Sequence, residues 1–263
     1  MTSTRAGIEQ VLAGLAPFSK LAAQRLAWLA SQVELRRYPL GHTLLAPGEL
    51  PEEVWILQSG SLRSLGAWPD PGTKPRTLEK LEAGAIAGWI SLLHHWPLEH
   101  LRCSTEAVLL AVPAAAALEL LRSEPSLQQW CAGQLPAAEL LALLHGLGAS
   151  DALEQWPHTW QHAQLWAGVQ QQPPAAALSE SYQWFLSQPP EPPQLVSADQ
   201  SLAASPEGWL RLIGLPFIPP AGGGAITLAP ASELLVPEPT TPEPLLSLPF
   251  EADPQGRQQR PLE

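Results

Sequence analysis

Proline and glycine turns cut the chain between Val33 and Val112 into short β-prone segments, and that punctuation leaves few folds open. Val33 to Tyr38 partly alternates and ends at Pro39-Leu40-Gly41. His42 to Leu45 follows as a short strand before the Pro47-Gly48 turn. Val54-Trp55-Ile56-Leu57 is an apolar run, Ser59-Gly60 turns it into Ser61 to Ala67, and Pro69-Asp70-Pro71-Gly72 leads on to Arg76 to Leu81. A longer strand region spans Glu99 to Val112. Short strands with turns between them call for antiparallel closure, as a roll or barrel.

Both flanks of this region carry helical periodicity. Ile8, Val11, Leu12 and Leu15 keep helical spacing until Pro17, and Ser19 is placed to cap a second helix with Leu21, Leu26, Leu29 and Val33 on one face. After Pro113 the pattern predicts a helix over Ala114–Leu121 and another from Ser126 to about Leu144, with a break at Pro136. Helices, then a roll, then helices define an α+β domain over residues 1–147.

Composition divides the rest. Of 30 prolines, 19 lie after residue 147. Residues 1–147 hold 11 Lys/Arg against 13 Asp/Glu, a net of −2; residues 148–263 hold 3 against 12, a net of −9. Residues 148–170 read as a helical extension carrying Trp156, Trp160 and Trp166. Residues 171–263 read as a proline-rich acidic linker or tail whose apolar islands, Tyr182–Leu186 and Trp209–Ile213, bury too little to offset ordering entropy. No run of cations suits a phosphate backbone or an anionic bilayer, so neither nucleic acid nor membrane insertion is expected. The longest charge-free apolar run, Ala107 to Leu118, is shorter than a membrane span and is interrupted by Pro113. A cytoplasmic protein is expected. Cys103 is expected on a strand and Cys131 on a helix, and two thiols alone make no metal site.

Three stretches, in order, resemble the cyclic nucleotide-binding domain family. They are Leu40-Gly41-His42-Thr43-Leu44-Leu45-Ala46-Pro47-Gly48-Glu49, Val54-Trp55-Ile56-Leu57-Gln58-Ser59-Gly60-Ser61-Leu62-Arg63, and Leu81-Glu82-Ala83-Gly84-Ala85-Ile86-Ala87-Gly88-Trp89-Ile90-Ser91-Leu92-Leu93. The resemblance implies that the third stretch is a phosphate-binding cassette, in which a short helical turn offers its unpaired N–H groups to a cyclic phosphate. It also implies a glutamate for the ribose and an arginine for the phosphate, both through charge-assisted hydrogen bonds. Here Trp89 stands at the glutamate position, and the arginine position falls at Pro97 or Leu98.

The ligand-contact candidates are therefore Gly88, Trp89, Ile90, Ser91, Arg102 and Ser104, a degenerate cassette. Arg102 is the nearest cation that could reach a phosphate, and Trp89 could either stack on a flat ligand or fill the vacated pocket. His94, His95, Glu99, His100 and Cys103 form a loose group best read as a solvated loop, not a metal site. His158 and His162 are spaced i, i+4 without the glutamate of a zinc protease. No nucleophile elbow, phosphate loop or acid–base pair stands out, so neither an enzyme nor a cofactor is expected. The run Gly88–Leu93 with Pro97, Glu99 and Arg102–Glu106 also resembles regulatory domains ahead of bacterial peptidase-containing ABC exporters, and Leu210–Pro216 looks like the linker of such proteins. The expectation is a non-enzymatic regulatory or scaffold protein that contacts a protein partner, such as a peptide-secretion ABC exporter or its peptidase domain. Cyclic nucleotide should bind weakly or not at all; the alternative is a sensor for a cyclic nucleotide or other small anion.

Overall fold

The computed structural model describes residues 2–67, 72–169, 173, 178, 181–196 and 202–216. Helix α1, Thr2–Ala13, buries Ile8 and Leu12 at the expected spacing. Ser19 does not cap a helix. It lies in a 3-10 turn, Phe18–Lys20, and α2 begins later, Ala23–Gln32, behind an extended Ala22. The turn buries Phe18 and carries Leu21 into the same core. Burying an apolar side chain stabilises by about 1.5–3 kcal/mol, whereas a serine cap contributes about 1 kcal/mol, so packing decides where α2 starts.

Eight antiparallel strands follow: β1 Glu34–Tyr38, β2 Thr43–Leu45, β3 Glu53–Ser59, β4 Leu62–Gly66, β5 Arg76–Leu81, β6 Ile86–Ala87, β7 Leu101–Cys103 and β8 Ala107–Pro113. They form two sheets of order β1-β8-β3-β6 and β2-β7-β4-β5. The interior of the roll is filled from both sheets, by Trp55, Leu57, Leu109 and Ala111 against Leu45, Leu62, Leu101 and Cys103. The alternate residues of β3 and β8, among them Val54, Ile56, Leu110 and Val112, face the helices instead. Both strands are thus covered on two faces, which explains their unbroken apolar runs.

Helix α3, Trp89–His94, leaves β6. After β8 come α4 Ala114–Ser123, α5 Pro125–Ala132 and α6 Ala137–Gly146, the last two separated by Gly133–Pro136 near the expected break. Cys103 lies on β7 and Cys131 on α5, and both thiols are free and buried.

The region past residue 147 departs from the sequence expectation. Two short helices, α7 Ser150–Glu154 and α8 Trp156–His162, occupy the expected extension, but Gln164–Val169 is a strand, β9. With β10 Tyr182–Leu186, β11 Gln194–Leu195 and β12 Trp209–Pro216 it makes an antiparallel sheet of order β11-β10-β12-β9. The apolar islands assigned to a tail, and the Leu210–Pro216 motif assigned to a linker, are strands of this sheet. Leu210 and Leu212 pack with Trp184 and Leu186 on one face, while Ile213 and Phe185 pack against Leu140, Leu143 and Trp156 on the other. Taken singly, the islands have little to bury; paired, and set against α6 and α8, each gains two covered faces. Residues 217–263 of the expected tail lie outside the described residues.

Candidate functional site

The cassette turn is built around Gly88, which adopts φ 90° and would place a Cβ 3.0 Å from the Glu53 carbonyl and 3.1 Å from the Trp55 ring. Only glycine fits such a left-handed position under such a ceiling. Trp55, and not Trp89, is the tryptophan inside the roll, where its indole Nε1 is buried without a hydrogen-bond partner.

Two of the donors at the start of α3, the Gly88 and Ser91 N–H groups, already have an acceptor, supplied by Glu99. Its Oε1 accepts from the Gly88 N–H at 2.7 Å, and its Oε2 accepts from the Ser91 N–H at 3.2 Å and the Ser91 hydroxyl at 2.8 Å. The Ser91 Oγ in turn accepts from the Leu98 and Glu99 N–H groups at 3.3 and 3.2 Å. The loop after α3 therefore folds its carboxylate back onto the turn, and the Ser91 side chain links the two. Burial pushes the Glu99 carboxyl above the ordinary carboxylate range, against the pull of the Gly88 and Ser91 donors. None of its hydrogen bonds comes from a cation.

The remaining candidates do not converge on that turn. Trp89 points to the helix side of the sheet, where its ring meets Trp130 edge-on at 5.5 Å and the Arg211 guanidinium lies 5.5 Å from its centroid. Trp89 thus fills the core between the helices and the outer faces of β3 and β8, and not the roll, because α3 turns its first residue away from the roll interior. Ile90 is fully buried in the same core. Arg102 projects outward from β7, with Leu101 and Cys103 inward, and donates through Nε to the Gly41 carbonyl at 2.9 Å. Ser104 donates its N–H to the Ser61 carbonyl, and its buried hydroxyl has no partner. Among the described residues no group of three or more His, Cys, Asp or Glu could hold a metal ion.

A second buried carboxylate closes the other end of α3. Glu139 of α6 accepts from Arg211 Nε at 2.8 Å and Nη2 at 2.6 Å, from the Ser187 hydroxyl at 2.9 Å, and from His94 Nε2 at 3.0 Å. An ionised carboxylate only accepts, so His94 carries its hydrogen on Nε2. Arg211 also donates to the Cys131 and Gln134 carbonyls at 3.0 and 2.8 Å. Although burial pushes Glu139 up, the Arg211 guanidinium and the hydrogen bonds of Arg211 and His94 hold it well below the ordinary carboxylate range. One carboxylate thus ties the cassette helix, α6 and the C-terminal sheet together. The neighbouring His95 (φ 51°) meets Glu207 at 2.6 Å, and Glu207 accepts a bidentate bond from Arg122.

Sequence reasoning missed Glu99, Glu139 and Arg211 as site residues. A signal was present: Arg211 is a lone cation in Trp209–Ile213 and Glu139 a lone anion in Ala137–Ala142. A single charge inside an apolar segment requires a partner.

Residues 35–124 match the family described as cyclic nucleotide-binding domain. No curated protein matches the chain. Among solved structures, the chain is similar to the regulatory subunit of a cAMP-independent protein kinase A from Trypanosoma cruzi bound to guanosine. The identity is 18%, over 57% of this chain and 52% of that one, with a TM-score of 0.48; the chain thus spans about half the length of that relative. The regulatory domain of Toxoplasma gondii PKA with cAMP is 14% identical over 82% of this chain and 90% of that one, TM-score 0.44. The Thermus thermophilus catabolite activator protein is 23% identical over 54% and 62%, TM-score 0.38.

Proposed function

Taking residues 35–124 as a cyclic nucleotide-binding-family domain, we propose that it is a degenerate one, and that the chain is a non-enzymatic regulatory or scaffold protein acting through contacts with a protein partner. The Glu99 carboxylate carries this reading. It sits on the N–H groups at the start of α3, the same kind of donors that the family resemblance assigns to a cyclic phosphate. Two further facts support it. Trp89 stands where the family resemblance puts the ribose-binding glutamate, and Arg102, the cation nearest in sequence to the missing arginine position, is turned outward and engaged with Gly41. An incoming phosphate would have to displace Glu99 and enter without a cation. Removing the charged partner of a buried anion typically costs about 2–5 kcal/mol, or roughly 30- to 4,000-fold in affinity.

A peptide-secretion ABC exporter, or its peptidase domain, is the partner suggested by the sequence likeness over Gly88–Leu93 with Pro97, Glu99 and Arg102–Glu106. That partner reading rests on those residues alone. Among the described residues no helix is long and apolar enough to cross a membrane.

Titration calorimetry of the full chain with cyclic AMP and cyclic GMP tests the degenerate reading. The expected result is no saturation below the millimolar range. A micromolar dissociation constant for either nucleotide would overturn it and favour a sensor.

A further inference from the structure

We propose that the outer face of the β2-β7-β4-β5 sheet is a docking surface for an acidic segment of a protein partner. The inference rests on the partner-binding reading above and names the face and the chemistry that would serve it. Strand register carries it. Arg63 of β4 stands directly opposite Lys80 of β5 on one side and Arg102 of β7 on the other. All three are exposed, while their neighbours Leu62, Leu101 and Cys103 point into the roll. Strands lie about 4.8 Å apart, so the three cations form a row about 10 Å long across the sheet.

Like charges directly opposite one another on neighbouring strands are destabilising, and here two such pairs share one residue. Among the described residues little relieves them. Lys80 meets Glu82 at an exposed site, and Arg102 is bonded to the neutral Gly41 carbonyl. Among the described residues Arg63 has no carboxylate partner. His100 is two residues before Arg102 on β7; burial, and then the Arg102 charge, disfavour its protonation. A chain with a net charge of −11 thus keeps a basic row on an open sheet face, in which Arg63 and Arg102 meet no carboxylate among the described residues. At its border Leu40, next to Gly41, is 70% exposed and offers an apolar contact. The other end of the face is covered by α6, where Leu141 packs on Gly66, so the open part centres on the row.

Charge complementarity selects the occupant. A nucleic acid carries one negative charge per ~1.7 Å of duplex and would be repelled by the acidic remainder of the chain. A short polypeptide with two or three carboxylates matches the row and meets far less of that repulsion. The members of the row are far apart in the sequence, which is why no basic cluster appears there.

The test is binding of the full chain to poly-L-glutamate at low salt, followed by fluorescence anisotropy, with double-stranded DNA as the comparison polyanion. The Arg63→Gln/Arg102→Gln variant is expected to bind poly-L-glutamate at least tenfold more weakly, with no loss of thermal stability, since it removes both like-charge pairs. Equal binding by both proteins, or none by the unaltered chain at about 50 mM salt, would overturn the proposal. So would DNA binding that depends on Arg63, or a dimer in sedimentation that the variant abolishes; these would assign the face to nucleic acid or to a second copy. The nucleotide titration does not involve this face, so failure of the filled-cassette reading and failure of the docking reading are separately visible.

Discussion

Two carboxylates are buried at opposite ends of the same short helix, and they are held in opposite ways. Glu99 is held by neutral donors, the Gly88 and Ser91 N–H groups and the Ser91 hydroxyl, and burial raises its pKa. Glu139 is held by the Arg211 guanidinium, with His94 and Ser187, and is depressed although it is buried still more deeply. The contrast separates two tasks. Glu99 satisfies the neutral donors of a turn, whereas Glu139 fastens three elements to one another. Neutral donors suffice for the first; the second uses a charge at each end.

The largest expected effect lies on the Glu139 side. Arg211→Ala would leave Glu139, 0% exposed, without its cation, and breaking a buried pair from one side costs about 3–5 kcal/mol. Arg211→Met combined with Glu139→Leu should recover most of that loss, because it removes both charges and keeps volume. Urea unfolding of the three proteins measures both quantities. A loss below about 1 kcal/mol for Arg211→Ala would show that water reaches the pair, and the contrast with Glu99 would fail.

The pH dependence of stability sharpens the same comparison. Folding raises the Glu99 pKa, so its contribution is full in acid and is lost as pH rises through the folded value. Folding lowers the Glu139 pKa, so its contribution is present above the ordinary carboxylate range and is lost as pH falls through it. The penalty of Glu99→Gln should therefore grow on acidification, and that of Glu139→Gln should shrink. A tenfold change in a carboxylate's proton affinity on folding is worth about 1.4 kcal/mol, so urea midpoints between about pH 3 and pH 7 resolve the two slopes. Slopes of the same sign would show that the two carboxylates do not differ in the way their partners imply.

The roll was legible in the sequence because its turns are local. Pro47-Gly48, Ser59-Gly60 and the Gly88 cassette act within a few residues, and the alternation of β3 and β8 states which faces are covered. The site was only half legible. The turn could be read from Gly88, but the Glu99 carboxylate that accepts from it comes from a loop whose path depends on β7 pairing with β2 and β4. The C-terminal sheet was not legible at all. Tyr182–Leu186 and Trp209–Pro216 look marginal taken singly, and their stability comes from pairing with each other and from α6 and α8, information spread over the chain.

The smallest expected effect concerns the rim of the same helix. Glu207 bridges the β11–β12 connection to His95, the residue that ends α3, and to Arg122 of α4. The Glu207 carboxylate is sheltered, but the partner side chains are 48% and 60% exposed, so solvent screens the interaction. Hydrogen bonding from Arg122 is the main reason the Glu207 carboxyl sits below its ordinary range, so its contribution fades as pH falls through that range. Glu207→Gln should therefore cost no more than about 1 kcal/mol near neutral pH, with the difference shrinking in 1 M salt as the Debye length falls to ~3 Å. Urea unfolding at low and high salt checks both statements. A salt-independent loss above about 2 kcal/mol would mean that the β11–β12 connection belongs with the buried Glu139 cluster, and that the cassette helix is gripped by charge on two sides instead of one.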